Sequence, residues 1–221
     1  MHIHLPKPLH GWREFLGEVG IIVIGVLIAL AAEQMVEDFH WHQKVDVIHH
    51  ALVGELANDR ARWEANMSFV PCARREIAAL DQWAAVGRPN VAAPAAPITV
   101  HSLFWWMHWA NWNLATSGGT LDHFSVRDQL AFAALYDGVI HRQQTIEAGA
   151  DLSEQVAGLV PLATDEHGRH ELRTVLGRLS GKINDLAFND AYMRRHFDAI
   201  GVKADQSDIA VDASKLPQCH S

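Results

Sequence analysis

The chain has 221 residues, 49% of them hydrophobic and 20% charged, which suits one folded domain with or without an appendage and excludes wholesale disorder. Eighteen Lys and Arg against 26 Asp and Glu leave a formal charge of −8, so no nucleic-acid partner is expected, because phosphates need a basic face. Two cysteines are too few for a disulfide scaffold, and fifteen histidines are the one compositional oddity.

Residues 19–32 carry no charge and are packed with Ile, Val and Leu. At about 1.5 Å per residue they cover about 21 Å of a hydrocarbon layer about 30 Å thick. Extension to 15–36 completes a span, with Glu18 and Glu33 at the two head-group layers. Ala29-Leu30-Ala31 is also an A-x-A cleavage pattern, so a secretory signal competes with a retained anchor. The leader is barely basic, however (Lys7 and Arg13 against Glu14 and Glu18), and no helix breaker precedes the site. A buried helix of a soluble domain would need a polar face, which is missing. The retained anchor is preferred. Lys7 and Arg13 precede it and Lys44 follows, which by the positive-inside rule places the N-terminus in the cytoplasm. The expected division is a cytoplasmic tail over 1–14, a transmembrane anchor over 15–36 and a periplasmic helical domain over 37–221. An oxidising compartment gives Cys72 and Cys219 a role as a disulfide pair.

Residues 14–30 resemble the N-terminal signature of a family of uncharacterised bacterial single-pass membrane proteins. Gly17, Glu18, Gly25, Leu27, Ile28, Ala29 and Leu30 carry the resemblance. Residues 31–36 depart from it, because many members follow the span with Asn or Gln and a Trp. The resemblance implies an inner-membrane location and this topology, and it supplies no activity and no catalytic residue.

Beyond the anchor, Trp41, Val45, Ile48, Leu52 and Leu56 recur at helical spacing, so one helix is expected over 12–68. Pro71 is expected to break it, with a second helix over 72–86 ending at Gly87. A Pro/Ala connector near 88–98 cannot be helical throughout. An aromatic helix over 101–116 and a turn at 117–120 follow. Ser125, with Asp128 three residues on, reads as the N-cap of a helix to about Leu159. In the last helix Leu172, Leu176, Leu179, Ile183, Leu186, Asp190, Met193, Phe197 and Ile200 alternate spacings of four and three. Such a coiled-coil-like stripe packs within a bundle or against a partner chain. Asp190 interrupts it, so the stripe is expected to open to water there, with Arg194 at i+4 as the alternative. The tail over 202–215 is expected not to dock by itself. The fold class is all-α: a transmembrane helix continuing into an antiparallel helical bundle with a long membrane-proximal helix.

No phosphate loop, nucleophile elbow or CxxC is present. Three constellations remain. His42, Asp46, His49 and His50 share a helix face, and His167, His170 and Glu171 share another; imidazole and carboxylate at this spacing can hold a transition metal, but a solvated polar face for the first set and helix-start polarity for the second are the preferred readings. Trp105, Trp109 and Trp112 lie at i, i+4 and i+7 with Trp106 beside them, as core, ligand groove or membrane-interface belt. No cofactor is expected apart from such a metal. Two functions stand. The first is a membrane-anchored periplasmic interaction or scaffolding protein, whose partners are the lipid bilayer, other membrane or periplasmic proteins or a second copy. The second is a periplasmic ligand- or metal-binding protein, conceivably enzymatic, that uses the Trp cluster and the histidines.

Overall fold

The computed structural model describes residues 11–87 and 106–205, and every regular element among them is helical. The chain forms two compact units, Met1–Val47 and Ile48–Ser221. Helix α1, Trp12–Val86, starts in the first and ends in the second.

In the first unit α1 has no apolar stripe set against a polar face. No residue of its 18-residue apolar window is buried, and Ile21 is 74% exposed. Water would oppose such a surface at about 25 cal/mol per Å². Among the described residues this is the one helix long and apolar enough to cross a membrane. Polar character returns beyond it: the Gln34 amide donates to Asp38 at 3.4 Å, His42 Nδ1 donates to the Asp38 carbonyl at 2.7 Å, and Lys44 lies 4.6 Å over the Trp41 ring.

In the second unit α1 is joined by α2 (Ala110–Ser117), a 3-10 turn (Thr120–His123), α3 (Val126–Leu159), α4 (Glu166–Phe188) and α5 (Asp190–Ile200). The expected break at Pro71 does not occur, and the two helices read from the sequence are one. Proline inside a helix costs about 3 kcal/mol. Here both flanks are pinned in the core, Val70, Cys72 and Ala73 on either side of Pro71, with Trp63, Ile77 and Leu80 beyond. Burial of several such side chains, each contributing about 2 kcal/mol, outweighs the lost hydrogen bond. The helix stops at Gly87, whose φ of +62° is the left-handed geometry that favours glycine at a C-terminus.

Helix α3 starts as its sequence dictates. Ser125 Oγ accepts from the Asp128 amide at 3.1 Å and donates to the Asp128 carboxylate at 2.7 Å. Asp165 caps α4 by accepting from the Gly168 amide at 2.8 Å. The stripe from Leu172 to Phe197 is buried within the unit on helices that pack against α3 and bond to α1 through Trp63 and Arg74, so it serves the chain's own core. It is carried by two helices rather than one, because the chain breaks at Asn189, whose side-chain amide donates to the Asp185 carbonyl at 2.8 Å. Asp190 does not open the stripe to water alone. Arg194 Nε reaches both its oxygens at 2.9 and 3.0 Å, and the indole N–H of fully buried Trp63 donates to it at 2.9 Å.

The start of the tail also differs from expectation, because it docks. Val202 is buried, its carbonyl accepts from Arg60 at 2.7 Å, and the Asp205 amide donates to the Ala57 carbonyl at 3.0 Å.

Candidate functional site

Glu55, Asp59 and Arg62 lie at i, i+4 and i+7 on α1, and so on one face. That face receives residues 106–112, a non-helical strap leading into the first turn of α2. The Met107 amide donates to Gln143 of α3 at 2.8 Å, and the Met107 side chain is buried. The His108 amide donates to Asp59 Oδ1 at 2.9 Å, and the Asn111 amide to Glu55 Oε2 at 2.9 Å. Trp109, the N-cap of α2, makes no side-chain capping bond. Glu55 therefore provides from another helix the acceptor that Ser or Asp usually provides locally, and its charge faces the positive end of α2. Its other oxygen accepts from the Tyr136 hydroxyl at 2.8 Å. Tyr136 is fully buried and stacked on Trp112, with ring centroids 4.8 Å apart. Burial, and then the neighbouring Glu55, hold its phenol above the ordinary range.

Asp59 is the most perturbed carboxyl of this cluster. Its side chain is wholly buried; Oδ1 accepts from the His108 amide and from Arg62 at 3.3 Å, while Oδ2 has no hydrogen-bond partner among the described residues. Burial pushes the carboxyl up from 3.8 to about 7, with Glu55 adding to the rise, against the pull of the His108 amide and Arg62. A carboxyl raised in the folded state contributes fully below its unfolded pKa and loses that contribution as pH climbs from 3.8 towards 7. The gap corresponds to about 4 kcal/mol once Asp59 is ionised. His108 accepts from the Arg62 guanidinium through Nδ1, and its ring is more than half exposed. Partial burial, and then Arg62, hold the imidazole below its ordinary range. The cluster is thus equipped to hold or release a proton beside the backbone of the strap.

The aromatic helix expected over 101–116 begins only at Ala110 in the described residues, so Trp109 and Trp112 do not share a helix interior there. Trp105 lies outside the described residues. Trp106, 58% exposed, and Trp109 precede the helix, and Trp112 alone of the described three packs on Tyr136.

Among the described residues no group of three or more His, Cys, Asp or Glu could hold a metal, so neither histidine set forms a metal centre there. His42 is engaged by the Asp38 carbonyl. Asp46 and His50 are exposed on the same helix, and His49 is packed against the rings of Phe124 and Phe132. His167 and His170 line an open groove of about 730 Å³ together with Gly87, Glu166, Arg169 and Arg173. Two guanidinium groups beside the imidazoles oppose a second cation, which is the physical reason the pair is a poor metal site. Glu171 is exposed. Glu18, Gly25 and Ala29 lie on the exposed apolar part of α1. Cys72 is buried on α1, and Cys219 lies outside the described residues.

Sequence reasoning did not single out Glu55, Asp59 or Arg62. A signal existed: the stripe Ile48, Leu52, Leu56 continues at the same spacing through position 59 to Trp63, so Asp59 occupies a core position. Comparison of the chain with protein-family models, with curated proteins and with solved structures finds no match.

Proposed function

We propose that the protein is a bacterial inner-membrane protein anchored by residues 15–36, with its N-terminus in the cytoplasm and its helical unit in the periplasm, where it acts as an interaction or scaffolding protein. The observation that carries this reading is the apolar start of α1, an 18-residue window of which holds no buried residue. Retention rather than cleavage is supported by the unbroken helix through Ala29-Leu30-Ala31. The resemblance of residues 14–30 to single-pass anchors agrees with it. The metal-binding alternative lacks a converging set of metal ligands among the described residues.

The test is carbonate extraction of membranes, together with alkaline phosphatase fused at either end. A full-length 24.6 kDa chain in the pellet, active when the fusion is C-terminal and inactive when it is N-terminal, is the expected result. A mature N-terminus near Ala32 overturns it. Scaffolding predicts discrete partners after crosslinking in membranes; a chain that crosslinks to nothing counts against it.

The Cys72–Cys219 disulfide belongs to the same proposal. No described cysteine is free. The tail meets α1 at Ala57, about 22 Å along the helix from Cys72, while the stretch from Asp205 to Cys219 reaches about 46 Å when extended. A bridge requires the two Cα atoms within about 4.4–6.8 Å. Thiol labelling of protein from oxidised membranes tests it: no labelling before reduction and two labelled thiols after it are expected, and two free thiols beforehand refute it.

A further inference from the structure

We propose that residues 106–112 are a proton-controlled strap: closed on α1 while Asp59 carries a proton, and released when Asp59 ionises. This goes beyond anchoring and scaffolding, because it gives the helical unit a pH-dependent change of surface.

The geometry supports the device in three ways. The strap meets α1 through two carboxylates, Glu55 and Asp59, so its attachment is electrostatic as well as apolar. Asp59 is sealed beneath it with one oxygen unpaired among the described residues, so an ionised Asp59 gains solvation only if its cover moves. The charges facing Asp59 do not neutralise that cost. From α1 these are Glu55 and Arg62, from the strap His108, and from α3 Tyr136. Arg62 is the one permanent cation among them; it also donates to His108, and Glu55 opposes it. Partial burial and Arg62 disfavour a charge on His108, which accepts from that guanidinium through Nδ1. Protonated Asp59 still accepts the His108 amide through Oδ1, so the closed strap keeps all its bonds in acid.

Release uncovers Met107 and the Trp112–Tyr136 stack, an apolar surface presented by a segment that already exposes Trp106. The consequence is a surface shown above neutrality and hidden in acid.

Hydrogen exchange of the full chain in detergent micelles between pH 5.5 and 8.5, corrected for intrinsic rates, tests the device. Opening at the His108 and Asn111 amides is expected to rise about 20-fold from pH 5.5 to 7.5 and less than about twofold from 7.5 to 8.5, as Asp59 completes its ionisation. Asp59→Asn retains the acceptor for the His108 amide and removes the charge, so its profile should be flat and closed. A flat profile in the unmodified chain overturns the proposal even if the variant fails to fold. So does an equal slope in Asp59→Asn, or a rise of the same size at Leu176 and Leu179 in the α4 core, which would mark ionisation acting on the whole unit.

Discussion

Trp63 offers the sharpest test of how the second unit is held together. It is fully buried on α1, and its indole N–H donates to Asp190 on α5, 127 positions away, at 2.9 Å. Trp63→Ala removes the largest side chain of the core and leaves a cavity, which should cost about 3–5 kcal/mol. Trp63→Phe keeps most of the volume and removes the donor. Asp190 is partly exposed and retains Arg194, so the loss should be about 1–2 kcal/mol. Asp190→Ala does the reverse: it strands a buried N–H, for about 1–3 kcal/mol. In the double variant Trp63→Phe/Asp190→Ala the two losses should fall short of their sum by about 1 kcal/mol, the coupling of the shared bond. The assay is urea denaturation in micelles, read as the shift in midpoint at constant slope. Losses that add to within about 0.3 kcal/mol would show that the bond contributes nothing.

Ser125→Ala removes both bonds between the Ser125 hydroxyl and Asp128 at the α3 N-cap and should destabilise by about 1 kcal/mol, with Ser125→Thr recovering most of it in the same titration. Gly87→Ala forces a Cβ into a left-handed residue and against the Arg169 guanidinium at 3.3 Å; a loss of about 1–2 kcal/mol is expected, and no change would mean that the end of α1 is not set by Gly87. Ile24→Asp combined with Leu27→Asp should abolish insertion, at about 3 kcal/mol per charge, so that carbonate releases the chain from the pellet.

What the sequence made legible is what depends on neighbours in the chain. The N-cap at Ser125 involves residues three apart and formed as read. The apolar run of residues 19–32 was legible from composition alone, and its helix is the one among the described residues long and apolar enough to cross a membrane. The stripe from Leu172 to Phe197 was legible as periodicity, yet its break at Asn189 was not, since Asn189 carries no helix-breaking signal as strong as Pro or Gly. Pro71 erred the other way: a strong local signal was overridden by burial on both sides of it. The strap was misread because its aromatic spacing imitates a helix, while its amides are taken by Asp59, Glu55 and Gln143 from distant parts of the chain.

The two acids on apolar stripes separate what is structural from what is candidate function. Asp59 and Asp190 each occupy a position where spacing calls for a hydrophobe, and each accepts an N–H from a different element, the His108 amide and the Trp63 indole. Sequence alone gives them the same standing. The difference lies first in burial, Asp190 keeping about a third of its side chain exposed and Asp59 none, and then in the second oxygen. Arg194, one turn along the same helix, closes both oxygens of Asp190, and the pair joins α5 to α1. Arg62, three residues from Asp59, reaches only Oδ1 at 3.3 Å and is shared with His108. A buried carboxylate with a complete set of donors acts as a fastener, whereas one left with an orphaned oxygen favours its proton and makes whatever covers it sensitive to pH. That distinction, rather than the abundance of histidine in the composition, places the pH-responsive chemistry of this chain at the contact between α1 and the strap.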